Sequence, residues 1–424
     1  MLAVIINGRL AGELRRLTDN RLRLRYHKDY RTNPTATPLS VSMPVELEEH
    51  SDHRVSPWLW GLLPDNADVL ARWGRDFGVS IANPFPLLGT KVGYDCPGAV
   101  QFCPAEAVDD LLGRGGDVSE MSEADIAARL RALKADATAW LGPARTGQFS
   151  LGGAQAKTAL HFSAQGWGEP SGNVPTTHIL KPTVPDFDWL DVNEHLCLVA
   201  AANSGLRAAR PQMGVFEDQT AIIVERFDRV SRQGTLTRVH HEDLCQALSL
   251  HPTRKYQADG GPSPGQVAAL LRSAVTGGGA ANDLWGFFDA LAFNWLIAGS
   301  DAHAKNYSLL LAGTQARLAP LYDVASFLPY DKSKGHKISL AMKIGGDYRL
   351  RRTDRPGAWD KTADELGLDR NEAITRILNL ARNLPAAFDQ AAHDNTIQVL
   401  PTDLPRRLVD LVATRAQHCI ELLS

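Results

Sequence analysis

Cysteine is scarce and unpatterned in this 424-residue chain: Cys96, Cys103, Cys197, Cys245 and Cys419 are odd in number, and no two form a C-x-x-C pair. That argues against a disulfide framework and against structural zinc, and makes a reducing cytoplasm the expected location. Long apolar runs are missing too. The opening "MLAVIINGRLAGELRR" is too short to span a bilayer and lacks a small-residue cleavage site, so no membrane role is expected. Excess charge of one sign is absent as well, the formal net charge being −3. Any nucleic-acid contact would therefore need a local basic patch rather than a global field. Two familiar phosphate-binding signatures, G-x-x-x-x-G-K-[ST] and G-x-G-x-x-G, do not occur. There is no internal repeat and no long low-complexity tract.

What is present is an ordinary globular balance, 44% hydrophobic and 22% charged, in a chain long enough for two or three domains. "LAVIINGRLAGELRR" predicts a β-hairpin turning at Asn7-Gly8, and short strands continue to about Val100. "SPWLWGLLPDNADVLARW" predicts one helix among them, and "SEADIAARLRALKA" an amphipathic helix opened by Ser122. Strands return between Gln148 and Phe227, with "QFSLGGAQAKTALHFS" as a hairpin, "THILKPT" and "TAIIVERFD" as strands, and "WLDVNEHLCLVAAANSG" as a helix closed by Gly205. From about His241 the pattern is helical, beginning with "HEDLCQALSL" and interrupted by the loops "TGGGAAND" and "FLPYDKSKGHK". The expected class is α+β, strands first and helices last, divided as 1–100, 101–235 and 236–424.

Several stretches carry chemistry when read in order. "SLGGAQAKT" (Ser150 to Thr158) has adjacent glycines that let backbone N–H groups approach phosphates; taken alone, Gly152-Gly153 is more often a plain hairpin turn. Lys181 ends a short apolar strand and suits a point contact to phosphate oxygens, with Glu194 on the next helix as its pairing partner. Both residues also fit ordinary solvated positions. "IIVERFD" turns abruptly from apolar to polar, as a segment joining two kinase lobes does, so that Glu225 to Phe227 could read an adenine edge. In "GSDAHAKNYSLLL", Asp301 can accept a hydroxyl proton and Asn306 can ligate magnesium, a D-x-x-x-x-N arrangement. Lys305 lies beside them, and His303 fits a brace better than a metal ligand. Asp323 in "LYDVASF" supplies a second magnesium-binding acid. Each piece is common; their order points to an ATP-dependent phosphotransferase, with the "DAHAKN" loop expected to be shielded from bulk water.

The stretches "FSLGGAQAKTAL", "TTHILKP", "NEHLCL", "VERFDR", "HEDLCQALSLHPTRKYQADGGP", "FNWLIAGSDAHAKNYSLLL" and "APLYDVASFLP" resemble the HipA family of toxin serine/threonine kinases from type II toxin–antitoxin pairs. "PWLWGLLPDN" is similar to part of the HipA N-terminal subdomain. The resemblance implies a two-lobed kinase-like fold related to phosphatidylinositol and protein kinases. It implies Asp301 as catalytic base, Asn306 and Asp323 as Mg2+ ligands, and Lys181 on the ATP phosphates. The loop Gly152, Gly153, Ala154, Gln155, Ala156 and Lys157 would cover those phosphates, and Glu225, Arg226 and Phe227 would hold adenine. His303, Ala304, Lys305 and Asn306 with Tyr322, Asp323, Val324 and Ala325 would complete the pocket. Ser150 matches the loop serine that family members autophosphorylate, adding about two negative charges beside ATP and switching the enzyme off.

The same resemblance implies an aminoacyl-tRNA synthetase as substrate, the glutamyl enzyme being the family's characterised target. It further implies a HipB-like helix-turn-helix antitoxin as partner and operator DNA reached through it, with Arg349, Arg351 and Arg352 of the loop "GDYRLRRTDR" placed to touch DNA phosphates. Ala302 stands where glycine is expected and Ala156 where a charged residue is common; neither removes a reacting group. Two other readings share these residues: a small-molecule phosphotransferase of related fold, and a non-catalytic corepressor on a kinase scaffold.

Overall fold

Asn7 and Gly8 adopt φ of 53° and 68°, the paired positive values that a tight two-residue turn requires, and close the predicted hairpin between strands Leu2–Ile6 and Arg9–Arg16. The computed structural model describes residues 1–424 except 114, 143–146, 233, 276–277 and 334. The predicted loops "TGGGAAND" and "FLPYDKSKGHK" touch 276–277 and 334, which lie outside the described residues. Two compact units interleave along the chain. The first is Met1–Pro182, Val215–Thr253 and Ser308–Ala316; the second is Thr183–Gly214, Arg254–Tyr307 and Arg317–Ser424.

The first unit is strand-rich. One antiparallel sheet runs Glu49–His50, Leu22–Tyr26, Arg9–Arg16, Leu2–Ile6, Val100–Cys103. In its strand "LRLRY" the leucines and Tyr26 are buried while Arg23 and Arg25 are exposed, the period of two of a one-sided sheet. A second sheet orders Val118–Glu120, Gly166–Pro170, Thr158–Ser163, His178–Pro182 and Gln219–Glu225. Ser122 caps helix Glu123–Ala135 through a capping box with Asp125, as predicted.

Three expectations are corrected here. "SPWLWGLLPDNADVLARW" is two helices, Asp52–Gly61 and Ala67–Phe77. Pro64 disfavours helix at the residue before it, and the Asn66 side chain starts a new one by accepting from the N–H groups of Asp68 and Val69. "HEDLCQALSL" opens as strand His240–Asp243 paired with Ser308–Ala312, and only Leu244–Ala247 is helical. In "QFSLGGAQAKTALHFS" only Thr158–Ser163 is a strand; the residues before it form an irregular loop.

The second unit is mainly helical. Helix Leu190–Asn203 ends before Gly205 at φ 88°, as its sequence predicts. Helix Ala280–Leu296 buries residues on every side from Phe287 to Leu296 except Asp289, and Arg370–Ala392 packs along Leu404–Leu423. No helix among the described residues is long and apolar enough to cross a membrane.

Two buried titratable groups on strand His240–Asp243 oppose each other. The His240 ring bonds the Leu39 carbonyl through Nε2 (2.9 Å) and accepts the Ala99 N–H at Nδ1 (3.3 Å), so a second ring proton has no acceptor. Burial pulls its pKa from 6.5 down to about 4. Glu242 accepts from Val41 N (2.8 Å) and Trp58 Nε1 (2.9 Å), and burial lifts its pKa from 4.5 to about 7. The histidine's contribution to stability is present above pH 6.5 and lost as pH falls through about 4; the glutamate's is present below pH 4.5 and lost as pH rises through about 7. Between 4.5 and 6.5 the unfolded chain holds its proton on His240 and the folded chain on Glu242, so the slopes cancel. Glu242→Gln is expected to uncover the histidine slope, about 1.4 kcal/mol per pH unit lost on acidification. Urea unfolding of wild type and variant from pH 4.5 to 6.5 measures it, and parallel curves would refute the pairing.

Candidate active site

In the second unit, the long helix ends with Ala298 in the left-handed region (φ 53°) and Gly299 N–H on the Asn294 carbonyl at 2.7 Å. This abrupt stop delivers "SDAHAKN". The Asp301 carbonyl accepts from His303 N (2.7 Å) and from Asn306 Nδ2 (2.8 Å), and the same Nδ2 reaches the Asp323 carbonyl at 3.4 Å. One amide thus stitches together the two segments predicted to carry the base and the metal ligands. With Nδ2 engaged, Oδ1 is the atom Asn306 would offer a cation. Asp323 sits at φ 58°, a conformation costing on the order of 1–3 kcal/mol that persists at functional positions.

The segment from Tyr322 to Ala325 is held at both ends. Tyr322 Oη donates to the Lys305 carbonyl at 2.6 Å. Ser326 exchanges two bonds with the Asn193 side chain (2.8 and 2.9 Å), and its hydroxyl donates to the Ile297 carbonyl at 2.7 Å. Among the described residues no three His, Cys, Asp or Glu side chains gather as a metal cage. Magnesium does not need one: an amide oxygen, a carboxylate, phosphate oxygens and water suffice, and Asn306 and Asp323 carry groups of the first two kinds.

Shielding of the loop is corrected in one respect. His303, Ala304, Lys305 and Asn306 are buried, but the Asp301 side chain is 65% exposed. A base that must meet an incoming hydroxyl has to be reachable. Its carboxylate accepts from the Tyr256 hydroxyl. The His303 ring packs edge-on to Tyr256 at 5.0 Å, and its Nδ1 is buried without a hydrogen-bond partner, so its bracing is by packing. Burial holds His303 below its usual pKa against the opposing pull of Asp301. Tyr256 was not singled out from the sequence; it lies 45 residues before Asp301.

The first unit holds the other predicted parts. Lys181 is buried on strand His178–Pro182, opposite Ile222, whereas Glu194 belongs to the second unit. Ser150 is fully buried: its N–H donates to the Asp95 carbonyl at 3.0 Å and its hydroxyl is buried without a hydrogen-bond partner. In the loop that follows, Gly153 takes φ 93° and its carbonyl accepts from Asp65 N at 2.9 Å. Lys157 turns inward, donating to the carbonyls of Gly152 (3.2 Å) and Gln155 (2.8 Å) with its ammonium 4.3 Å from the Trp140 ring centroid. It rivets the loop to itself. Ala154 and Ala156 lie in this same turn.

The Arg226 side chain is held within the first unit. Its guanidinium is buried among Asp228 (3.0 and 2.8 Å), Thr176 Oγ1 (2.8 Å), Asp95 (3.3 Å) and the Cys96 carbonyl (3.1 Å), and its N–H donates to the Thr177 carbonyl at 2.9 Å. Arg229 bridges Asp95 and Asp228 at 2.9 Å each, and Arg238 reaches Asp95 at 3.3 Å. Burial by itself would raise both carboxyls; Arg226 and Arg229 outweigh it and hold Asp228 well below the usual range and Asp95 lowered. The network connects the Ser150 anchor to Glu225–Phe227, and Phe227 itself packs on His241 at 5.0 Å.

The basic segment is a strand and a helical turn rather than a loop. Arg349 ends strand Asp347–Arg349, and Arg351 and Arg352 sit on Leu350–Thr353. Arg349 bonds the Lys337 carbonyl, Arg351 the His336 ring, and Arg352, 75% exposed, faces Asp347 at 3.7 Å.

A buried strand lysine in the strand-rich unit, and in the helical unit a D-x-x-x-x-N loop stitched to a second acid, are parts that a kinase requires. The chain's family follows from comparison with known proteins. Residues 149–388 match the HipA-like C-terminal domain and residues 2–103 the HipA N-terminal domain, so the chain belongs to the HipA family of serine/threonine kinases of the toxin–antitoxin class. A kinase candidate of Sinorhizobium fredii, Y4mE, is 31% identical over 97% of this chain and 96% of its own length. The serine/threonine-protein kinase toxin HipA of Shewanella oneidensis is 28% identical over 86% of this chain and 82% of its own. The solved Shewanella oneidensis structure of HipA with HipB and operator DNA superposes with a TM-score of 0.81 at 25% identity, covering 100% of this chain and 96% of that one.

Proposed function

We propose that this chain transfers the γ-phosphoryl group of ATP to a serine of an aminoacyl-tRNA synthetase in the cytoplasm, halting charging and growth. The Asn306 bridge between the Asp301 and Asp323 carbonyls carries the reading, because it fixes a candidate base and two candidate metal ligands in one cluster. Asp301 accepts the proton of the attacking serine hydroxyl, and Tyr256 aims its carboxylate. Lys181 holds the ATP phosphates, and the backbone around Glu225 and Phe227 receives adenine. Magnesium on Asn306 and Asp323 would neutralise phosphate charge. A HipB-like antitoxin neutralises the kinase and carries it to operator DNA, as the assembly named for the Shewanella relative supports; the arginines at 349, 351 and 352 then add phosphate contacts. Incubation with labelled ATP and purified glutamyl-tRNA synthetase tests the substrate. Label on a synthetase serine with loss of charging is expected, and an unlabelled, active synthetase beside a self-labelled kinase would redirect the search to another protein.

Self-inactivation rests on the seat of Ser150. A fully buried hydroxyl with no hydrogen-bond partner is no seat for a dianionic phosphate, so phosphoserine must leave this position and take the loop with it. Protein phosphorylated on Ser150 is expected to bind ATP at least tenfold more weakly than Ser150→Ala, which keeps the loop seated. Equal ATP affinities by calorimetry would remove the off-switch from the account.

A further inference from the structure

The second unit contains a cavity of about 450 Å³ behind the catalytic loop, bounded by Asn306 and Tyr307, by Arg207 and by the segment Arg317 to Leu321. Three arginines line it, Arg207, Arg317 and Arg376, against two aspartates, Asp283 and Asp289. Asp283 is fully buried and is shared by Arg207 (3.1 Å), Arg317 (2.9 Å) and Leu318 N (2.8 Å), while Arg376 pairs with Asp289 and lies 4.9 Å from the Trp285 ring centroid. Arg207 and Arg317 remain 55% and 47% exposed, and a guanidinium has five N–H donors, of which Arg207 gives one to Asp283. The lining therefore carries one positive charge in excess, on forks that suit phosphate oxygens.

A second observation is independent of charge. Gly286 lies inside helix Ala280–Leu296 and lines the cavity. Glycine there costs about 1 kcal/mol relative to alanine. Packing does not require it: its φ is not in the left-handed region, and an added Cβ would meet only Leu318 Cδ2, at an ordinary 3.7 Å. The space a longer side chain would fill is the cavity itself. We infer that this cavity is a binding site for a small phosphorylated ligand, kept open by Gly286 and gripped by Arg207 and Arg317. A ligand there touches the floor from which Asn306 projects. The same segment also leads into Asp323, since Leu321 exchanges backbone bonds with Arg207 and Ala209 at 2.8 and 2.7 Å.

The test is calorimetric titration of inorganic phosphate into the full chain saturated with a non-hydrolysable ATP analogue, which occupies the nucleotide site separately. Saturable binding is expected in wild type and in Gly286→Ala, and a loss of at least about tenfold, 1.4 kcal/mol, in Gly286→Leu and in Arg207→Ala. Arg207→Ala keeps Arg317 on Asp283, so it decides the matter should the leucine variant fail to fold. No saturable heat in wild type, or equal affinity in wild type and Arg207→Ala, would overturn the site. Failure of the kinase reading would show instead as missing heat for the ATP analogue.

Discussion

Replacing Asp301 by asparagine is expected to slow phosphoryl transfer by roughly 10²- to 10⁴-fold, the range for removing a general base, while ATP affinity and unfolding stability stay as in wild type. The geometry explains why the loss should be confined to chemistry. The atom of Asp301 that organises the loop is its main-chain carbonyl, which receives His303 N and Asn306 Nδ2. Its side chain is 65% exposed and bonds the Tyr256 hydroxyl, which an asparagine oxygen can still accept. Asparagine therefore keeps the shape and removes the proton acceptor. Single-turnover rates with saturating ATP read the effect, and an unchanged rate would move the base elsewhere.

The largest effect on stability is expected at Asp95. Replacing it by alanine leaves Arg226, Arg229 and the half-buried Arg238 with Asp228 as the remaining carboxylate of the network. Breaking a buried ion pair from one side costs about 3–5 kcal/mol, because the abandoned charge has no water to return to. The same substitution also removes the acceptor of the Thr176 hydroxyl and N–H. Asp218→Ala, whose Arg131 partner is on the surface, serves as control and should leave stability unchanged. Urea unfolding of the two variants compares them; an Asp95→Ala protein as stable as wild type would mean that the network contributes little.

The sequence made visible those parts whose chemistry is local. Asp301 and Asn306 stand five residues apart, and the D-x-x-x-x-N spacing was legible as a candidate loop, while the amide bridge that Asn306 makes was not. Strand alternation, the Asn7-Gly8 turn and the Ser122 cap are local too. What stayed hidden is long-range or conformational. Asp95 and Arg226 are 131 residues apart, and Asn193 and Ser326 are 133 apart, so no window of sequence contains either pair. The inward turn of Lys157 onto Trp140 and two carbonyls of its own loop was not legible either, because residue type does not fix the direction of a side chain. The exposure of Asp301 was missed because its apolar flanks are buried, and burial of neighbours does not fix the direction of one side chain.

The most direct test of the central claim is the intact mass of dephosphorylated protein before and after incubation with ATP and magnesium, followed by site mapping. The account predicts a gain of one phosphoryl group on Ser150 in wild type that is absent from both Ser150→Ala and Asp301→Asn. No gain in wild-type protein that binds ATP, or an equal gain in Asp301→Asn, would contradict it.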